Sequence, residues 1–168
     1  MNLNFKKATK NDAQVINELA VRIWNKHYLS IITQEQIDFM LEEMYSVKNL
    51  LLQMDAGHEF TLVLNGDQPI GYISLENKDG KNYFLHKFYV EVEEHGKGVG
   101  TKLFDYVLKQ IPGAETIELF VNRINYKPIN FYFKNGFTIK SVIDQHIGNG
   151  FYMNDFVMIK KIKNTPLL

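Results

Sequence analysis

The chain has 168 residues and no cysteine. Disulfides, thiolate metal sites and a cysteine nucleophile are therefore excluded, and the absence fits a reducing, cytoplasmic setting. Charge of one sign is also missing: 19 Lys and Arg face 19 Asp and Glu, for a formal net charge of zero. No broad basic surface is implied, so nucleic acid is not an expected partner. No window approaches the roughly 18 apolar residues of a membrane span, and Met1-Asn2-Leu3-Asn4-Phe5-Lys6-Lys7 lacks a signal-peptide apolar core. A soluble protein without a membrane partner is expected. Repeats, low-complexity segments and dividing linkers are absent too. What is present is a globular balance, 45% apolar and 23% charged with twelve Phe and nine Tyr. The expectation is a single domain over residues 1–163 and a short tail at 164–168.

Periodicity divides the chain into elements. Leu3–Lys7 alternates as a strand. Thr9 with Asp12 and Thr33 with Gln36 open two amphipathic helices, one with Ile16, Leu19, Ala20, Ile23 and Trp24, the other with Ile37, Met40, Leu41 and Met44. Val47, Leu50, Leu51 and Met54 give a short third helix before Gly57. Three strands follow, Glu59–Leu64, Ile70–Glu76 and Asn82–Val90, separated by Asn65-Gly66 and Asp79-Gly80. The helix Val99–Ile111, the strand Thr116–Val121, a helix from Pro128 to Asn135 and the strands Phe137–Gln145 and Phe151–Lys161 complete the chain. The order β-α-α-α-β-β-β-α-β-α-β-β predicts an α/β (α+β) fold: a mixed, mostly antiparallel twisted sheet of about seven strands flanked by about five helices.

Between the strand ending at Val90 and the helix starting at Val99 lies Glu91-Val92-Glu93-Glu94-His95-Gly96-Lys97-Gly98-Val99-Gly100-Thr101. Alternate glycines let a ligand approach the backbone, and a helix N-terminus offers unpaired N–H groups to an anion such as a pyrophosphate. Lys97 and Lys102 add positive charge and Thr101 a hydroxyl. The spacing is neither a nucleoside-triphosphate loop nor a dinucleotide fingerprint. By itself the segment is equally readable as a glycine-rich turn that caps a helix.

His95-Gly96-Lys97-Gly98-Val99-Gly100 resembles the coenzyme A motif Gln/Arg-x-x-Gly-x-Gly/Ala of the GCN5-related N-acetyltransferase (GNAT) family. Gly98 and Gly100 match; His95 stands where the family has Gln or Arg. The run from Asn125 through Phe131-Tyr132 to Gly136-Phe137 resembles the family's Asn-x-x-Ala-x-x-Phe-Tyr and Gly-Phe motif, with Pro128 in place of Ala. Leu85–Val90 resembles the strand before the loop, and the element order matches over almost the whole chain. Trp24 through Met44, with the ending Phe156–Lys161, resembles the PaiA-like bacterial branch.

The resemblance implies transfer of an acetyl group from acetyl-coenzyme A, as co-substrate and without a metal, to a primary amine of a small molecule (polyamine-like or amino-acid-like) or of a peptide. Tyr132 matches the general acid that protonates the departing thiolate. Asn125 matches the residue that bonds the pantetheine arm; its other reading is a helix cap. Val90 and Val92 would bond that arm through their backbone, as in strand addition. The cofactor-binding set is then Val90, Val92, His95, Gly96, Lys97, Gly98, Val99, Gly100, Thr101, Asn125 and Tyr132. For the base, His86 alternates with Phe84, Phe88 and Val90, and Glu76 is its rival; Glu118 reads as a plain sheet-face carboxylate. Trp24, Tyr28, Glu42 and Glu43, with His27 and Tyr45, are the acceptor-site candidates, although Glu42-Glu43 also reads as the wet face of a helix. Relatives are often dimers, so a homodimer stays open. A non-catalytic acyl-coenzyme A sensor is the alternative reading.

Overall fold

The structure, a computed structural model, describes residues 2–162; the expected tail at 164–168 lies outside them. Its elements are β1 (Leu3–Lys7), α1 (Ala13–His27), α2 (Gln34–Tyr45), α3 (Val47–Asp55), β2 (His58–Asn65), β3 (Gln68–Asn77), β4 (Asn82–Val90), α4 (Val99–Gln110), β5 (Thr116–Asn122), α5 (Tyr126–Lys134), β6 (Thr138–Gly148) and β7 (Phe151–Lys161), with short 3-10 turns at Lys10–Asp12, Tyr28–Ser30 and Val92–Glu94. The fold is mixed α/β, with a seven-stranded, mostly antiparallel sheet in the order β1-β2-β3-β4-β5-β7-β6. β4 and β5 are parallel, Asn82–Phe84 against Thr116–Glu118. No helix among the described residues is long and apolar enough to cross a membrane.

The chain divides into two compact units. The first comprises residues 1–76 and 87–112. Gln36 N–H donates to Thr33 Oγ1 at 3.2 Å, the cap the sequence predicts for α2. Thr9 N–H donates to the Asp12 carboxylate at 2.8 Å, but this capping box opens the 3-10 turn Lys10–Asp12, and α1 starts just after it, at Ala13, without a side-chain cap. Ser46, with extended backbone (φ −56°, ψ 147°), separates α2 from α3. The carbonyls freed at the end of α2 are taken up by α3 and α1. Asn49 Nδ2 donates to those of Glu42 and Glu43, Gln53 Nε2 to that of Met44 at 2.7 Å and Asn17 Nδ2 to that of Tyr45 at 2.8 Å. The core of this unit gathers Ile16, Leu19, Ile37, Leu50, Phe60 and Leu103 with their neighbours. The middles of β2 and β3 are buried without alternation, as expected of strands covered on both faces.

The second unit comprises residues 77–86 and 113–168. β5 and β7 are antiparallel from Thr116↔Lys161 to Asn122↔Asp155, and β6 pairs with the other edge of β7. Ile117, Leu119, Val121, Ile129, Tyr132, Phe137 and Met158 are buried. α5 starts two residues before Pro128, whose missing N–H would have had no helical acceptor there. It stops in a Schellman cap: Gly136 N–H donates to the Phe133 carbonyl at 3.0 Å and Phe137 N–H to the Tyr132 carbonyl at 3.0 Å, with Gly136 at φ 83°.

Candidate active site

In the first unit the glycine loop grows out of the end of β4. Gly71 of β3 lies directly beside this strand end; a Cβ there would collide with the Tyr89 carbonyl. Glu91 N–H donates to the Ile70 carbonyl of β3 at 2.8 Å. Successive N–H groups of extended chain point to opposite sides, so those of Val90 and Val92 are directed away from β3. The chain then turns through Val92–Glu94, and His95 N–H donates to the Val92 carbonyl at 3.1 Å. Gly96 and Gly98 follow at φ 78° and 79°. A Cβ at either would meet nothing within 4 Å, so what the fold itself requires of these glycines is left-handed backbone. Gly98 immediately precedes α4. The N–H groups of Val99, Gly100 and Thr101 occupy its first turn, where no intrahelical acceptor exists, and the helix dipole favours an anion beside them.

The loop is braced from within and from α1. His95 Nε2 lies 3.0 Å from the Val90 carbonyl; a carbonyl only accepts, so Nε2 carries the proton. The side chain in the family's Gln/Arg position thus ties the loop to its own strand. Lys97 Nζ donates to Glu94 at 3.2 Å. Arg22 Nε donates to Glu91 at 3.0 Å, and Lys26 pairs with Glu93.

Of the acceptor-site candidates, Trp24 and Tyr28 are stacked at 4.2 Å between ring centroids, and the Tyr28 and Tyr89 hydroxyls are 3.5 Å apart. Tyr45 and Tyr72 extend this aromatic cluster, and burial pushes both phenols well above their ordinary range, which keeps them neutral. Trp24 and Tyr45 are buried, whereas Tyr28 is half-buried. Glu42 and Glu43 are exposed near the end of α2. Glu76, the rival base, faces His58 across β2 and β3, 3.9 Å from His58 Nε2.

Lys87 was not singled out by its sequence, yet it is a buried cation in this unit. Its Nζ donates to Gln53 Oε1 at 2.6 Å and lies over the Tyr45 and Phe60 rings. Burial lowers its pKa to about 8. The alternation of Leu85, Lys87 and Tyr89 is the signal that could have found it.

In the second unit Asn125 occupies the N-cap position of α5, its carbonyl accepting from Ile129 N–H at 3.2 Å, without a side-chain capping hydrogen bond. It is buried, and its backbone N–H donates to the Asn122 carbonyl at 2.9 Å. Tyr132 is buried two turns further on. The Schellman cap holds its carbonyl, and its ring packs edge-on to Phe137 at 5.4 Å, the contact that commonly accompanies this cap. The Gly-Phe after Phe-Tyr thus has a local physical reason: it fixes the tyrosine. Burial pushes the Tyr132 phenol up, so it carries its proton throughout the neutral range. His86 is half-buried against Phe84, 4.6 Å between ring centroids. Glu118 pairs with Lys140, as a sheet-face carboxylate would. Asp155, buried on β7, was also not anticipated.

A family profile described as "Acetyltransferase (GNAT) family" matches residues 15–137. The chain belongs to this family and is a GNAT N-acetyltransferase that uses acetyl-coenzyme A. It is 26% identical over 172 residues to a spermidine N(1)-acetyltransferase from Thermoplasma acidophilum, covering 98% of this chain and 100% of that one. The crystal structure of the PaiA N-acetyltransferase of Thermoplasma acidophilum in complex with coenzyme A superimposes with a TM-score of 0.80 at 27% identity, covering 96% of this chain and 100% of that one. A GCN5-related N-acetyltransferase structure from Rhodopseudomonas palustris shares the fold at a TM-score of 0.79 and 18% identity, covering 96% and 97%.

Proposed function

We propose that this protein acetylates a primary amine of a small polyamine-like molecule, with Tyr132 as the general acid. The observation that carries the catalytic part is the state of Tyr132: buried, held by the α5 cap and protonated at neutral pH. The acceptor class rests on similarity over the full length to the spermidine N(1)-acetyltransferase.

The residues present fit the cofactor. Pyrophosphate oxygens can accept from the N–H groups of Val99, Gly100 and Thr101, with Gly96 and Gly98 setting the approach and Lys97 exchanging Glu94 for phosphate. The Val90 and Val92 N–H groups can donate to the carbonyls of an extended amide arm lying alongside as an added strand. His95 serves by bracing the loop, not by touching the cofactor. Asn125, at the start of α5, holds the same arm. Acetyl-coenzyme A supplies the acetyl group as a thioester with a stable leaving thiolate.

The amine must lose one proton before it attacks, because an alkylammonium of pKa about 10.4 is almost wholly charged at pH 7. His86 or Glu76 takes that proton directly or through water. The new C–N bond forms as the C–S bond breaks, Tyr132 gives its hydroxyl proton to the sulfur, and the second proton shed by the new amide nitrogen returns through water to the Tyr132 oxygen. Trp24 and Tyr28 wall the acceptor side, with Glu42 and Glu43 as the outer attraction for a cation. Tyr132→Phe tests the assignment. Turnover should fall about 100-fold, in the range for loss of a general acid, while calorimetric affinity for coenzyme A stays within twofold. An unchanged rate removes Tyr132 from the chemistry.

A further inference from the structure

Asp155 is a buried carboxylate that the mechanism above does not use. It is 3% exposed, and on β7 it stands opposite Asn122 of β5 and Ile143 of β6. Among the described residues no hydrogen bond reaches its carboxylate. Arg123, whose charge acts on it, donates its Nη2 to Asp144. A carboxylate largely removed from water favours a nearby cation, and here burial pushes the carboxyl up to about 6 against the pull of Arg123.

Its surroundings are hydrogen-bonded and lead to α5. Arg123 N–H donates to the Asn154 carbonyl at 3.0 Å and Asn125 N–H to the Asn122 carbonyl at 2.9 Å. Asn122 Oδ1 accepts from Ile124 N–H at 3.1 Å. The Asp155 carboxylate is thus mounted beside the turn that starts the Tyr132 helix. Its chemistry suits an alkylammonium, a compact cation with three donors for an acceptor-only group.

We propose that Asp155 is the anionic seat for an ammonium group of the acceptor, pairing with it in place of Arg123 and orienting the amine to be acetylated. This rests on the amine-acceptor reading above. It requires that the acceptor carry a positive charge, and it favours polyamines, which keep a second ammonium for Asp155 when the reacting nitrogen is deprotonated.

The test is steady-state acetylation of spermidine by the full chain, with thermal unfolding measured with and without spermidine. Asp155→Asn should raise the spermidine KM 10- to 100-fold, leave the acetyl-coenzyme A KM within twofold and abolish thermal protection by spermidine. Asp155→Glu should restore part of both. Arg123→Met, which removes the competing cation, should leave the spermidine KM unchanged or lower, and it decides the matter if Asp155→Asn does not fold. An unaltered KM and protection in Asp155→Asn, or an Arg123→Met KM raised as much as that of Asp155→Asn, would make the pair purely structural and overturn the proposal. If the wild-type chain acetylates no amine, the functional reading fails separately; calorimetric spermidine binding lost in Asp155→Asn would still support the seat, and binding unaffected by the substitution or absent from the wild type would overturn it.

Discussion

Lys87 shows how one residue sets a pH dependence. Its folded pKa of about 8 lies below the ordinary 10.5. Between those values the folded chain binds fewer protons than the unfolded one, so stability rises as pH climbs from 8 to about 10. Below pH 8 the full penalty applies, at most ~3 kcal/mol for a shift of this size, and the Gln53 acceptor and the Tyr45 ring offset part of it. Lys87→Met should therefore be more stable than wild type by ~1–2 kcal/mol at pH 7, and the gain should vanish by pH 10. Urea unfolding at both pH values checks this; parallel profiles would contradict it. Lys87 and Asp155 are illegible in the sequence for the same reason. A charged residue inside a strand is ordinarily a solvent-facing one, and only its phase against buried neighbours such as Leu85 or Val157 says otherwise.

At the scale of elements, local chemistry was the legible part. The Thr33 cap, the Asn65-Gly66 turn and Gly136 at the end of α5 each announce a boundary whose physical cause the structure then displays. What could not be read was burial. β2 and β3 are covered on both faces, so alternation fails just where packing is densest. β6, although rich in β-branched residues, is largely exposed. The α5 cap carries a prediction of its own. Gly136 sits at φ 83°, and a Cβ there would lie 3.0 Å from Lys160 Nζ, the group that donates to the Asn135 carbonyl. Gly136→Ala should cost ~1–2 kcal/mol of stability. Because the same cap fixes Tyr132, turnover should fall while the coenzyme A affinity of the loop is kept. Equal losses in both would show a general defect of folding instead.

At the scale of the molecule, the succession of strands and helices was fully visible in the sequence, and the family follows from two short motifs within it. The strand order was not. The tight turn after Gly148 makes β7 a partner of β6, but nothing in local sequence says that its other edge receives β5. Nor does the sequence show that the chain divides into two units, the first carrying the glycine loop and the second carrying Asn125 and Tyr132. Zero net charge means that the proposed capture of a cationic acceptor has no net charge of the chain to draw on. The most direct test of the whole account is acetyl-coenzyme A incubated with the protein and spermidine, following thiol release and the mass of the amine product. The account predicts spermidine-dependent thiol release matched one for one by monoacetylated spermidine. Coenzyme A binding without acetylation of spermidine or any other small amine would contradict it.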